Sequence, residues 1–319
     1  MRFRAIAGIF AFFYLFFLLA LPLFWITGGF FSREPKIALS DSDIALSVLM
    51  GNGSSETLSL DAWIEGVLYY YMKPDDSIEA YECMAVMART FYWRAKHFEP
   101  RHLPYDVCES AGCCLGAAIA TRREKANRSL SPIFGLEGIE KKSKSRQALE
   151  STDGIILVYS GEPIRVEFFQ GGFGSTAGSK SAPYLPAVET PEGKTYCARF
   201  RFSMEEFLTL AKAFTQDSGL SYSDYKGISV ERTPSGIPIS LTIGSHELSA
   251  SDVRKLCGLK SVFFEVRRYS KRICFDDYGI GGGIGLSLEG ASVYGRSGMD
   301  CKAILAHYFP GTGLVRKND

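Results

Sequence analysis

LSLDAWIEGVLYYY, residues 58–71, places Leu60, Trp63, Ile64, Val67, Leu68 and Tyr71 at helical spacing. That period predicts an amphipathic helix with one face in a core. Ser59 or Asp61 can cap its start, and Pro74 with Asp75 and Asp76 breaks it. Working outward, a second helix is expected over 77–97, with Ala80, Met84, Met87, Ala88, Phe91 and Tyr92 near one face. Residues 99–118 are cysteine-rich and irregular. GIILVYSGEPIRVEFFQ, residues 154–170, reads as a hairpin, two β-rich runs around a Ser-Gly-Glu-Pro turn. Further strands are expected within 226–247 and 261–276. The glycine-rich loop YGIGGGIGLS (278–287) precedes a helix at about 299–308, which stops at FPGTGL. Helices first and strands later predict an α+β fold of mixed helices and antiparallel strands.

In the other direction, AIAGIFAFFYLFFLLALPLFWITGGFF, residues 5–31, carries no charge. A bilayer core of ~30 Å needs about 20 helical residues. The run is too long for the apolar region of a cleavable signal, and no small-residue cleavage element follows it. It is expected to be one uncleaved transmembrane anchor. Arg2 and Arg4 flank one end, Arg33 and Lys36 the other, so charge alone barely orients it. Residues 32–56 read as a linker and 57–319 as the body. The polar stretch 122–150, with Lys141, Lys142, Lys144 and Arg146, reads as a solvated insertion. A formal net charge of +1 argues for no nucleic-acid partner. Eight cysteines are too few for a disulfide scaffold of this size.

His102, Cys108, Cys113 and Cys114 lie close in sequence. A structural zinc takes four N/S ligands, but the spacing is not a common finger pattern. A disulfide from Cys108 to Cys113 or Cys114 is the rival reading. The remaining cysteines (Cys83, Cys197, Cys257, Cys274, Cys301) are expected to be mostly buried and inert, and His307 to be a structural histidine.

The ordered set of segments resembles stage II sporulation protein D and the related amidase-enhancer (LytB-type) proteins. The likeness is carried by LDAWIEGVLYYYM (60–72), IEAYECMAVMARTFY (78–92), YDVCESAGCC (105–114), STDGIILVYSGEPIRVEFFQGGFGST (151–176) with PYLPAVETP (183–191), VRKLCGLKSVFFEV (253–266), YGIGGGIGLSLEGASVYGRSG (278–298) and ILAHYFPGTGL (304–314). The resemblance implies a sporulation (engulfment) protein facing the cell wall. Family members with the full motif are lytic transglycosylases that cleave peptidoglycan glycan strands freed of stem peptides, working with a partner amidase. It orients the anchor with Met1 in the cytoplasm and the chain from Ser32 outside. It also implies a substrate groove.

In that family one Glu, near the end of the first helix, gives the proton to the leaving oxygen and then takes one from the sugar's C6 hydroxyl. The matching stretch reads Gly66-Val67-Leu68-Tyr69-Tyr70-Tyr71-Met72, so Tyr71 stands at the Glu position. A phenol titrates near ~10 against ~4.3 for Glu and is a poor acid here, although a Tyr can stack on a sugar. The family loop G-H-G-V-G-M-S-Q-Y-G is matched by residues 281–290. Gly281, Gly283, Gly285 and Ser287 survive as substrate-loop positions, while the His, Gln and Tyr become Gly282, Leu288 and Glu289. Arg89 matches a family arginine in the groove. Glu65 is about 240° around the helix from Tyr71 and faces elsewhere, so Glu289 is the better relocated carboxylate. The family carries a His, a Cys and an adjacent His-Cys pair at positions matched by His102, Cys108, Cys113 and Cys114, with Cys113 replacing the second His, and some members bind zinc there. These departures favour a catalytically degraded transglycosylase scaffold that binds glycan. The alternatives are an active enzyme using Glu289 and a non-enzymatic amidase enhancer.

Overall fold

The helix read from 58–71 forms as α1, Leu60–Tyr71, and buries Trp63, Ile64, Val67 and Leu68. The structure, a computed structural model, describes residues 40–115 and 134–317. The expected anchor at 5–31 lies outside the described residues, as does the first part of the linker and of the 122–150 stretch. No helix among the described residues is long and apolar enough to cross a membrane.

The chain from Ser40 to Lys317 forms one unit. Its first elements correct the linker expectation of 32–56. A 3-10 turn spans Asp41–Asp43, and strands β1 (Ala45–Leu49) and β2 (Ser55–Ser59) pair antiparallel, from Ala45 opposite Ser59 to Leu49 opposite Ser55. Leu46 and Val48 point into the core while their neighbours are more exposed, the period-2 pattern of a one-sided strand.

After α1 comes α2, Ile78–His97. Ser77 caps it by accepting from the Ala80 amide at 3.3 Å. Glu79 in the first turn and Arg94, Lys96 and His97 in the last complement the helix dipole. Nearly every side chain from Ala80 to Ala88 is buried except Glu82, which makes this helix the axle of the first core. Each fully buried Met or Leu contributes about 1.5–3 kcal/mol.

Then follow β3 (Val107–Cys108), parallel to β1, the short turn α3 (Ala111–Cys114), and α4 (Phe134–Ser151). The last corrects the expected solvated insertion. Lys141, Lys142, Lys144 and Arg146 sit on this helix, and Lys144 Nζ donates to the carbonyls of Pro74 (2.5 Å) and Asp76 (2.9 Å). The expected hairpin forms only in its first half: β4 (Ile155–Tyr159) pairs with β5 (Glu162–Pro163). The chain then leaves the ladder and returns as β6 (Phe168–Phe169) and β7 (Phe173–Ser175).

The remainder runs β8 (Glu189–Lys194), β9 (Tyr196–Ser203), α5 (Met204–Thr215), α6 (Tyr222–Lys226), β10 (Ser229–Arg232), β11 (Pro238–Ile243), β12 (His246–Ser249), α7 (Ala250–Cys257), β13 (Phe263–Arg268), β14 (Arg272–Tyr278), β15 (Leu286–Ser287), α8 (Leu288–Arg296), α9 (Cys301–Tyr308) and β16 (Gly313–Arg316). The α+β expectation holds. The single helix expected at 299–308 is α9, with α8 immediately before it.

Two cores divide these elements into lobes. The first is built on Trp63, Tyr81, Met84, Tyr92, Leu305 and Phe309. The second is built on Phe207, Tyr225, Leu241, Phe264 and Phe275, with Phe169 and Phe173 reaching in from the first lobe's chain. The strands of the second lobe fall in 196–278, while β15, α8, α9 and β16 return to the first. There β16 pairs with β4 and β15 runs parallel to β6.

Candidate functional site

Tyr71 is the last residue of α1, where the Met72 amide still closes on the Leu68 carbonyl at 2.9 Å. The helix stops there, and the half-buried Tyr71 ring projects from its end. It meets the Phe168 ring edge to face at 4.9 Å and the Tyr70 ring at 4.8 Å. Of the three consecutive tyrosines, Tyr70 is the one that leaves the core, at 41% exposed. Burial, with a smaller push from Tyr70, drives the Tyr71 phenol up to about 12. It is a poorer acid than free tyrosine.

Tyr71 lines a cleft of about 560 Å³. The first lobe supplies Tyr71, Arg94, Glu99, Arg165, Glu167 and Phe168. The second supplies Arg254, and Gly281 and Gly282 come from the loop that leads back. A cavity at such a junction of lobes is a common place for a ligand.

The glycine loop earns its composition from backbone packing. Gly281 has φ +117°, and a Cβ there would stand 2.6 Å from Phe169 Cβ. Gly285 has φ +78°, and a Cβ there would collide with the Glu167 carbonyl. Both conformations favour glycine. Gly281 borders the cleft, while Gly283, Gly285 and Ser287 do not line it. Ser287 is fully buried. It caps α8 by accepting from the Gly290 amide at 3.0 Å and donates to Glu192 Oε1 at 2.6 Å. Its hydroxyl is used in structure.

Arg89 corrects the groove expectation. It is fully buried, its Nε donates to Asp41 Oδ2 at 2.6 Å, and its Nη1 donates to the Ile155 carbonyl at 2.9 Å. Burial raises the Asp41 carboxyl above the ordinary range, with Arg89 working against the shift. The arginine ties the N-terminal turn and β4 to α2.

Glu289 lies in the first turn of α8, its amide donating to the Gln170 carbonyl at 2.9 Å. Burial raises its carboxyl; Lys73 opposes this, and Glu192 and Asp76 reinforce it. It does not line the cleft. The carboxyl that does, and that the sequence reading passed over, is Glu167. Burial raises it, against the pull of Arg165. The other cleft carboxyl, Glu99, is held below its ordinary value by its bonds to Arg94. The available signal was a single acid inside the apolar run VEFFQ.

His102, Cys108, Cys113 and Cys114 come together, with one ligand atom from each lying within 4.8 Å of the others. His102 Nε2 is 3.1 Å from Cys113 Sγ, and the Cys113 and Cys114 sulfurs are 3.8 Å apart. Ligands about 2.0–2.3 Å from a tetrahedral zinc are spaced on this scale. These four residues could hold such an ion, and Cys113 borders the cleft. His307 serves structure, its Nε2 bonded to the Glu189 carbonyl at 2.8 Å.

An α+β body of two lobes, with a cleft between them and a Cys/His cluster at one wall, is the class these features define. Residues 51–159 match the family model SpoIID, Stage II sporulation protein. The chain is 28% identical to Stage II sporulation protein D of Bacillus amyloliquefaciens, covering 88% of this chain and 83% of the relative. It is 28% identical to Stage II sporulation protein D of Bacillus subtilis, covering 82% and 76%. An uncharacterized protein of Brachyspira hyodysenteriae is 24% identical, covering 82% and 68%. The chain thus carries a segment that matches the SpoIID family model and is similar over most of its length to stage II sporulation protein D.

Proposed function

We propose that this sporulation protein is a membrane-anchored, wall-facing engulfment factor whose cleft holds peptidoglycan glycan strands without cutting them. The observation that carries the reading is Tyr71. At the end of α1, where the resemblance expects the acid, stands a phenol pushed up to about 12, which is no donor for a sugar oxygen near neutral pH. Its ring and that of Phe168 offer a stacking edge. Residues 5–31 would anchor the chain with Met1 in the cytoplasm, and the partner would be a cell-wall amidase.

Purified full-length chain incubated with stem-free glycan strands tests this. The expected result is retention of the strands with no new 1,6-anhydro ends; their appearance overturns the non-cutting reading. A second reading, an active transglycosylase with a moved acid, is favoured by one observation, the buried Glu167 carboxyl in the cleft wall. If anhydro ends form, loss in Glu167→Gln but not Glu289→Gln would assign the proton to Glu167, and the reverse would assign it to Glu289.

His102, Cys108, Cys113 and Cys114 would hold a structural zinc that stiffens the wall of the cleft. Metal analysis after gentle purification should find close to one zinc per chain. Less than about 0.3 would leave the disulfide as the better account.

A further inference from the structure

Two cysteines outside the His102 cluster meet in the first core. Cys83 lies on α2, and Cys301 is the first residue of α9. Both are free thiols, Cys83 fully buried and Cys301 nearly so. Cys83 Sγ stands 3.6 Å from Cys301 Sγ and 3.6 Å from the Cys301 carbonyl oxygen. The two residues are 218 positions apart in the chain, so the fold and not the local sequence brings the sulfurs together. Each helix is fixed at its start by a cap of its own. Ser77 accepts from the Ala80 amide on α2, and Asp300 Oδ1 accepts from the Ala303 amide at 2.7 Å on α9. A single buried thiol packs as a small apolar group and needs no account. Two that touch across the joint between the axle helix and the returning C-terminal segment do need one. Bonded sulfurs stand about 2.05 Å apart, so this pair has to close by only about 1.6 Å, a movement that the two χ1 torsions can share.

We propose that Cys83 and Cys301 are a disulfide-forming pair, and that the bond staples α9 to α2 in the finished protein. This rests on the wall-facing reading above, because thiols of a cytoplasmic body are kept reduced. The oxidant is an external disulfide, either a small molecule or a thiol oxidoreductase. The Cys83 thiol gives its proton to solvent, and the thiolate attacks one sulfur of that disulfide and expels the other as a thiolate. The Cys301 thiolate then attacks Cys83 Sγ in the mixed disulfide, forms the Cys83–Cys301 bond and expels the second thiolate. Two protein thiols are oxidised, and one external disulfide is reduced to two thiols. In the closed fold burial, with Cys301 adding to it, holds the Cys83 thiol well above its ordinary range, so the exchange belongs to the stage before α9 has packed. The closed loop contains the whole second lobe and the cleft residues Arg94, Glu167, Arg254 and Gly281. A loop of that length removes much freedom from the unfolded chain.

The test is a peptide map of the full-length chain taken from the cells that make it, with free thiols blocked by N-ethylmaleimide at lysis. A parallel sample of intact cells is treated with an external protease to place the body. The expected result is a body open to the protease and a linked pair of peptides holding Cys83 and Cys301, lighter by two hydrogens than the free peptides together. An accessible body with both cysteines blocked by maleimide, or with either joined to another cysteine, overturns the proposal and leaves the wall-facing reading standing. A body sheltered from the protease removes that reading and this proposal together. Thermal unfolding gives a second measurement on purified chain. Cys301→Ala should melt about 5–10 °C below wild type without reductant, and the gap should close to about 2 °C in a phosphine reductant. A gap of the same size in both conditions would locate the effect in packing and overturn the staple.

Discussion

The Tyr71 ring stands 4.9 Å from the Phe168 ring, nearly perpendicular to it, so the end of the first helix and a strand near the glycine loop meet through aromatic edges. The contact needs the ring and not the hydroxyl. Tyr71→Phe should therefore bind stem-free glycan within about twofold of wild type, while Tyr71→Ala should weaken binding about fivefold through loss of roughly 1 kcal/mol of aromatic contact. A phenylalanine variant as weak as the alanine one would show that the hydroxyl, not the ring, holds the ligand.

Arg89 and Asp41 form a buried ion pair distant from any role in the cleft. Removing one partner strands the other charge. Arg89→Ala should lower unfolding stability in urea by about 3–5 kcal/mol, whereas Arg89→Met combined with Asp41→Leu should recover most of the loss. Glycan affinity of the double variant should stay at the wild-type value. A selective loss of affinity in a stably folded double variant would return Arg89 to the binding machinery.

Gly285 sits at φ +78° against the Glu167 carbonyl. Gly285→Ala should cost at least about 1–3 kcal/mol in thermal or urea unfolding. Gly282 has open space around its Cβ position, so Gly282→Ala should be close to neutral. Equal effects would mean that the loop is held by something other than these close approaches.

Glu167 gives a pH signature with a definite sign. Burial raises its folded pKa above the ordinary 4.5. Such a group favours folding most below its unfolded pKa, and that contribution is lost as pH rises through the folded value. Glu167→Gln, which cannot ionise, should unfold at higher urea than wild type at pH 7. The difference should vanish near pH 4. A difference that persists unchanged at pH 4 would locate the cause in packing rather than in the charge.

The helices around the cleft could be read from the sequence because their signals are local. Ser77, Pro74 and the apolar spacing set the bounds of α1 and α2 within a residue or two. The glycine loop was legible as backbone, since Gly281 and Gly285 take conformations that other residues avoid. What failed depends on distant partners. The strand β1 lies in a stretch rich in serine and glycine; it pairs with the neighbouring β2, but its other edge is covered by β3, far along the chain. Arg89 looked like a groove residue because nothing local announces that Asp41 will meet it. The 163–170 segment alternates as a strand should, but only its start stays with β4; Phe168–Phe169 pairs instead with β15, more than a hundred residues on.

The return of β15 and β16 to the first lobe has a consequence for the order in which the molecule can be finished. The second lobe takes its strands from one continuous stretch, 196–278, and can close as soon as that stretch is available. The first lobe cannot, because β4 and β6 wait for β16 and β15. As the chain emerges from its N-terminus, the second lobe has all its strands before the first does, and the cleft is the last thing to take shape. An unfinished chain therefore presents no formed groove, and binding begins only when assembly ends.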